Sequence, residues 1–167
     1  MSPVLWSELW APYATRDIWM SYQWEGKADF GPYLLPDGRI IVDLIGDGDL
    51  DQLPFPVWFK PSNSGKRLSD LLWTGGVGAK LASCRFVEVL NDIGASGWRA
   101  FEVPVLDRTG TPIEGYVGFA TTGGGDDLDV SHINGFQNFC FRVKPHVLDA
   151  LLAAGVDKFK HEPTKTS

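Results

Sequence analysis

The chain has 167 residues, of which 44% are hydrophobic and 13% aromatic, a composition that lets one apolar core form without disulfide staples. Its formal net charge of −6 repels phosphate backbones, so nucleic acid is not expected as a partner. No window approaches the run of about 18 apolar residues that a membrane span needs, and without a basic leader before an apolar run we expect a cytoplasmic protein.

The first part of the chain predicts a helix, a strand and a hairpin. A serine and a proline at positions 2 and 3 suit the start of a short helix, whose apolar face would comprise Trp6, Leu9, Trp10 and Tyr13. Alternating apolar residues over Ile18–Trp24 indicate a strand. Gly31–Ile45 reads as a hairpin with a turn at residues 35–38 and a β-branched, central second strand.

Residues 46–78 are rich in Asp, Pro, Gly and Ser and predict a long irregular connection with short ordered pieces. Ser83 then caps a predicted amphipathic helix that runs to Ile93 and ends at a glycine. Strands are expected over Trp98–Val105 and Gly115–Thr122, joined by a turn over residues 107–112.

The last part predicts a strand over Phe136–Val143, a helix that begins at Pro145 and ends before Gly155, and a short strand over Asp157–His161. Hairpins and meander strands outnumber strand–helix–strand units. We therefore expect one α+β domain over residues 1–163, with a mainly antiparallel sheet, two principal helices packed on it and a loose tail at 164–167. The protein is expected to be a monomer or homodimer.

The two predicted helices and the segments around them resemble each other. The corresponding residues, each pair 61 positions apart, are Phe86 and Val147, Val87 and Leu148, Leu90 and Leu151, Gly94 and Gly155, and Trp98 and Phe159. Two interpretations remain open: an internal repeat, or the ordinary appearance of any capped amphipathic helix that leads into a strand.

None of the motifs that commonly carry metal or phosphate chemistry is complete. Residues 47–51 alternate carboxylates as a calcium loop does, but Gln52 and Trp58 stand where that loop needs glycine and glutamate. The glycine-rich stretch 74–80 lacks the Gly-Lys-Ser/Thr ending of a phosphate loop. Three histidines without metal-ligand spacing give no zinc signature. No metal or cofactor is predicted.

Cys84 and Cys140 lie in apolar stretches, where free cysteine behaves as a small hydrophobe. We expect both to be unpaired and chemically quiet in a reducing compartment. A thiolate at Cys84 with His132 or His146 as base is the alternative, and a buried structural thiol is favoured over it.

Two loops and the N-terminal tryptophans are the candidates for binding. The loop at 123–132 combines glycines that allow close approach to a ligand with Asp126, Asp127, Asp129 and His132, so it could form a small-ligand pocket or simply a solvated connection. Tryptophan is enriched at binding hot spots, although core packing is the more frequent fate of such residues.

The run Ser83-Cys84-Arg85-Phe86-Val87-Glu88-Val89-Leu90, with Gly97-Trp98 and Gly110-Thr111-Pro112-Ile113-Glu114-Gly115-Tyr116 after it, resembles bacterial immunity-like proteins of polymorphic toxin systems. The resemblance covers roughly residues 80–160. It lies in turns and caps, so it carries over no catalytic residue, and residues 1–75 have no part in it.

The resemblance implies a non-enzymatic protein that binds a cognate toxin domain and neutralises it. Toxin domains that act on nucleic acid must be basic, and an acidic surface is steered to them. On this hypothesis the partner-binding residues are Asp47, Asp49, Asp51, Asp126, Asp127 and Asp129, with an exposed tryptophan, Trp6 or Trp10, as an apolar anchor. The alternative is a small-ligand-binding protein or enzyme with a pocket near residues 123–132.

Overall fold

The structure is a computed structural model that describes residues 5–25, 34–75, 78–133 and 137–164. Its strands and helices in chain order are β1 (Ser7–Trp10), β2 (Met20–Gln23), α1 (Ile41–Asp47), β3 (Trp58–Pro61), β4 (Leu71–Leu72), β5 (Lys80–Ser83), α2 (Cys84–Asp92), β6 (Trp98–Phe101), β7 (Tyr116–Thr121), β8 (Val130–Ser131), β9 (Phe141–Val143), α3 (Pro145–Ala153) and β10 (Lys160–Pro163). A short 3-10 helix spans Leu50–Gln52.

The strands form two four-stranded sheets and one two-stranded ribbon. Sheet I has the order β4-β5-β7-β6, sheet II has the order β8-β9-β1-β10, and β2 pairs with β3. Every ladder between these strands is antiparallel. The prediction of one α+β domain with antiparallel strands and two principal helices is confirmed, although the strands are divided between two sheets.

Both sheets and both principal helices pack around Phe86. Its side chain is fully buried, and its ring meets those of Phe119 in β7, Phe141 in β9 and Phe159 before β10 edge to face, at centroid distances of 5.7, 6.3 and 5.9 Å. Edge-to-face contacts place the positive edge of one ring against the negative face of another. A single α2 side chain thus joins both sheets in one core.

The opposite face of sheet I is covered by a second core. Helix α1 buries Ile41, Leu44 and Ile45, which are spaced so that they share one side of the helix. They pack with Leu72 and Leu81 of sheet I and with Phe59 of the β2–β3 ribbon. Sheet I is therefore buried on both faces.

Of the two interpretations of the 61-residue spacing, the arrangement of elements favours an internal repeat. β5, α2 and β6 in sheet I correspond to β9, α3 and β10 in sheet II, and the equivalent residues of the two helices are 61 positions apart. Both helices are followed by a glycine with positive φ, Gly94 at 66° and Gly155 at 76°. Each provides the left-handed conformation that ends a helix without a side-chain clash.

The strand pairing of the two sheets also matches residue by residue. In sheet I, Leu71 lies opposite Ala82, and in sheet II the equivalent Val130 lies opposite Val143. Sheet I has two inner strands, β5 and β7. Strand β7 follows β6 in the chain, whereas the same place in sheet II is taken by β1 from the N-terminal part. Sheet II is thus a circularly permuted copy of sheet I.

The predicted N-terminal helix is wrong, because the described part of that segment forms β1. This strand is hydrogen-bonded on both sides, to β9 and to β10. Leu9 points into the core, and Trp6, Glu8 and Trp10 alternate with it on the other face. Pairing with strands more than 130 residues away overrides the local helical pattern. Ser2 and Pro3 lie outside the described residues.

The prediction of a second hairpin strand that ends at residue 45 is also wrong. The turn at residues 35–38 forms, with the Gly38 amide bonded to the Leu35 carbonyl at 2.9 Å. However, the β-branched stretch after it is helix α1, because burial against sheet I rewards one helical face. The helix ends at Gly48, which has φ of 79°, and a Cβ there would lie 2.5 Å from the Phe101 ring. Residues 31–33 lie outside the described ranges.

Strands β2, β6 and β7 lie within the predicted strands, whereas β9 is confined to the last three residues of the strand predicted at 136–143 and β10 begins three residues later than predicted. Helices α2 and α3 end one residue earlier than expected, and Ser83 caps α2 by accepting a hydrogen bond from the Phe86 amide at 3.2 Å. The short ordered pieces expected within the connection at 46–78, at residues 57–59 and 68–73, correspond to β3 and β4. The predicted loose tail begins at Thr164, whose amide and hydroxyl bond to the Trp6 carbonyl. No helix in the described ranges could span a membrane.

The substitution Phe86→Ala is expected to lower the free energy of unfolding by about 3–5 kcal/mol, because it removes a fully buried ring and leaves a cavity between two sheets. Urea denaturation measures this. Ile93→Ala, at the exposed end of the same helix, is the control and should cost less than about 1 kcal/mol. Equal costs for the two variants would show that Phe86 is not the centre of the core.

Candidate functional site

The first acidic loop follows helix α1 and is held by one arginine of β6. The Arg99 guanidinium donates to the Gly48 carbonyl at 2.7 Å and lies 3.4 Å from the Asp49 carboxylate. Asp47 and Asp51 are exposed. Arg99 therefore fixes the backbone of the loop and leaves these two carboxylates in solvent.

The second acidic loop follows β7 and is held in a similar way from β9. Arg142 donates to the Gly124 carbonyl at 3.1 Å and to the Asp126 carboxylate at 2.9 Å, while 84% of the Asp126 side chain stays exposed. Asp127 is exposed as well. One side-chain contact again orders a loop whose carboxylates face water.

The two loops leave the same end of sheet I. Strand β7 ends at Thr121 opposite Trp98, and Gly46 in the last turn of α1 lies against Gly78 and Ala79 at the start of β5. The charge of Asp47 acts on His132, whose amide bonds to Gly123 of the second loop at 2.7 Å. We call Asp47, Asp49, Asp51, Asp126 and Asp127 together the acidic face.

Asp129 is not part of this face, because its carboxylate is used inside the fold. It accepts hydrogen bonds from the Ser96 amide and hydroxyl at 3.0 and 3.3 Å and lies 3.7 Å from Lys144 and 3.5 Å from His146. Partial burial raises the pKa of Asp129, but these hydrogen bonds and charges outweigh it and lower the pKa. Of the six aspartates predicted to bind a partner, Asp129 is therefore the one whose carboxylate has an evident structural role.

Asp70 is the counterpart of Asp129 in the first repeat. It accepts from the Ser83 hydroxyl at 2.7 Å, from Arg85 through two bonds of 2.7 and 2.8 Å, and from the Lys158 amide at 2.9 Å. Burial raises the pKa of Asp70, but these donors and the Arg85 charge hold it below its usual value. The sequence analysis did not single out Asp70. The 61-residue spacing could have indicated it, because the spacing pairs Arg85, which binds Asp70, with His146, which lies near Asp129.

The two predicted tryptophans lie apart. Trp6 is buried, with the Arg142 guanidinium 4.0 Å and the Lys144 ammonium 5.9 Å from its ring, so it is not the exposed anchor that the hypothesis requires. Trp10 is half-buried and lines a cavity with Tyr13, Ala14 and Lys160. Trp6 is thus beside the second acidic loop, and Trp10 is near the start of β10.

The described residues around the alternative site at 123–132 are joined by a hydrogen-bond network. Thr121 bonds to His132 and, at 3.0 Å, to Gln137. Partial burial lowers the pKa of His132, with a further contribution from the charge of Lys80. Three cavities of about 300 to 340 Å³ among the described residues are lined by other segments, at residues 10–14, 67–70, 83–85, 115–116 and 157–160. Within the described ranges, no three His, Cys, Asp or Glu side chains converge as metal ligands.

Both cysteines are free and half-buried. Burial raises the pKa of the Cys140 thiol, with a smaller contribution from the charge of Glu8. A raised pKa keeps the thiol protonated at neutral pH, and the protonated form is a poor nucleophile. The prediction that the cysteines are unpaired is confirmed.

Lys80 is a buried charge that the sequence did not single out. Its ammonium donates to the Gly78 carbonyl at 3.1 Å, to the Gln137 side-chain oxygen at 2.8 Å and to the Asn138 carbonyl at 3.1 Å. Burial lowers the pKa of Lys80 to about 7, although the charges of Cys140 and Asp47 oppose this. In the second repeat the same position is held by Phe141, so a lysine stands where the fold accepts an apolar ring.

We expect the free energy of unfolding to rise between pH 7 and about 8.5, by up to about 1.4 kcal/mol per pH unit. In this range Lys80 keeps its proton in the unfolded chain, where its pKa is 10.5, and loses it in the folded protein. His132 titrates below this range and Tyr116, with a pKa of about 12, above it. Denaturation at several pH values measures the slope. Lys80→Met should flatten it and exposed Lys60→Met should not, and parallel slopes would exclude Lys80 as the source.

Asp70→Asn should cost about 2–3 kcal/mol of stability, because it removes a buried carboxylate that accepts four hydrogen bonds, two of them from a charged guanidinium, whereas Asp129→Asn should cost about 1 kcal/mol. The pKa of each carboxyl is lowered below its ordinary value of 3.8, so the stabilisation is present above that pH and is lost as the pH falls through the pKa of the folded protein. Acid denaturation of the two variants tests this. If Asp129→Asn is the more costly, Asp129 carries the larger structural role.

The chain was compared with models of protein families and with curated proteins, and it matches none of them.

Proposed function

We propose that this protein is a non-enzymatic binding module of the immunity type, which binds a cognate bacterial toxin domain and neutralises it. The observation that supports this best is the acidic face. Its loops are held at their bases by Arg99 and Arg142, while Asp47, Asp51, Asp126 and Asp127 stay exposed. Loops held in this way are ordered before binding, which reduces the entropy cost of association.

The charge of this face selects the partner. A toxin domain that acts on nucleic acid needs a basic groove for phosphates, and exposed carboxylates on a chain of net charge −6 are attracted to that groove at long range. Occupation of the groove would block the substrate without any chemical step. This mode needs no metal, cofactor or nucleophile.

The proposal predicts that the protein binds the C-terminal domain encoded by the neighbouring reading frame and that the acidic face sets the association rate. The variant Asp47→Asn/Asp51→Asn/Asp126→Asn/Asp127→Asn should associate about tenfold more slowly at low salt and show a flatter salt dependence. Its dissociation rate should change less. Surface plasmon resonance at several salt concentrations measures both rates.

A matched control removes four carboxylates from other exposed positions: Glu88→Gln/Asp92→Asn/Glu114→Gln/Asp149→Asn. It changes the net charge equally, so equal slowing in both variants would assign the effect to net charge and not to the acidic face. Absence of binding to the neighbouring gene product at micromolar concentration, or turnover of a small substrate by the purified protein, would contradict the immunity proposal.

A further inference from the structure

A groove runs along the molecule between the segments 67–70 and 157–160. Three cavities of about 300, 320 and 340 Å³ follow one another along it. The first and second share Leu68, Ser69 and Lys158, and the second and third share Lys160. Because neighbouring cavities share lining residues, they lie next to one another along this surface.

The rim of the groove carries cations that are fixed by buried carboxylates. Arg85 is bound by Asp70, and Arg67 is bound by Asp17 at 2.7 Å. Both carboxylates are 2% exposed, whereas both arginine side chains are 47% exposed. A guanidinium has more N–H donors than these contacts use, so each arginine is held in place with donors still directed to solvent.

Two lysines add positive charge to the groove. Within the described residues, neither of them forms an ion pair that would neutralise this charge. Lys158 and Lys160 are exposed and line the middle of the groove. Asp157 is the one exposed carboxylate among the lining residues of the three cavities. The surface of the groove is therefore positive, although the whole chain is acidic.

The far end of the groove is aromatic. Trp10 and Tyr13 line the third cavity, and Tyr13 is 54% exposed. The Tyr13 ring lies 4.6 Å from Trp73, which in turn lies 5.5 Å from the exposed Phe139. Rings packed against one another in this way are held rigid, which suits them to receive an apolar side chain.

The groove and the acidic face lie at opposite ends of β7. Tyr116, at the start of this strand, lines the first cavity, and the second acidic loop follows Thr121 at its end. Over this length a strand spans about 17 Å, which exceeds the screening length of about 8 Å at physiological salt. The two surfaces therefore act on partners independently.

We propose that this groove binds an extended acidic segment of a partner protein, with carboxylates on Arg67, Arg85, Lys158 and Lys160 and an apolar residue in the aromatic cavity. Three linked cavities suit an extended chain, and the cations select acidic side chains by charge. The net charge of −6 opposes both anionic ligands, but it opposes a nucleic acid strand more than a short acidic segment, because the strand carries a phosphate on every nucleotide and extends beyond the groove. The inference is independent of the toxin proposal, since it concerns a different surface.

The test uses a fluorescein-labelled peptide of glutamates with one terminal phenylalanine, measured by fluorescence anisotropy at low salt. We expect saturable binding that weakens as salt is added. Lys158→Glu/Lys160→Glu should weaken it by about tenfold or more, and Tyr13→Ala by about fivefold. Lys60→Glu, on the exposed side of β3, is the control and should change it less than about twofold.

A peptide with lysine in place of each glutamate separates charge recognition from loss of folding. It should bind Lys158→Glu/Lys160→Glu more tightly than it binds the wild type, because the charges of the groove are then reversed on both sides, whereas the acidic face is the same in both proteins. The proposal would be overturned if the glutamate peptide failed to bind the wild type. It would also be overturned if either peptide bound the wild type and Lys158→Glu/Lys160→Glu equally well. Tighter binding of a single-stranded oligonucleotide than of the peptide would overturn it in favour of a phosphate-binding groove.

Discussion

The arrangement of the molecule depends on two carboxylates that tie each repeat to the other. Asp70, at the start of the first repeat, binds the Lys158 amide in the loop that follows α3. Asp129, at the start of the second repeat, binds the Ser96 amide in the loop that follows α2. Each aspartate also binds residues at the start of its own helix. The reciprocal contacts fix the two sheets around Phe86, and they also fix the ends of β7 from which both proposed surfaces extend.

Features set by neighbouring residues could be predicted from the sequence. Helices α2 and α3 begin and end where Ser83, Pro145, Gly94 and Gly155 indicate, because capping depends on a few adjacent residues. β1 could not be predicted, because its partners lie at the other end of the chain. Helix α1 was predicted as a strand, since burial of one face against sheet I outweighs the strand preference of β-branched residues.

The same distinction applies to the candidate sites. The acidic loops could be identified because solvated carboxylates with glycines are visible in the composition of a short segment. The role of Asp129 could not be predicted, because it depends on contacts with Ser96 in the loop after α2 and with His146 in α3, which are distant in the sequence. The groove was missed for a similar reason. Its lining combines segments about 90 residues apart, and within either segment an arginine or lysine resembles any other solvated charge.

The separation of charge along β7 has a consequence for any partner. A basic domain is attracted by the net charge and by the acidic face, so both act in the same direction. An acidic segment is repelled at long range by the net charge of −6 and attracted only near Lys158 and Lys160. Added salt screens the long-range repulsion and the local attraction alike. Binding at the acidic face should therefore be fast and steeply salt-dependent, whereas binding in the groove should associate slowly and depend more on how well the aromatic end is filled.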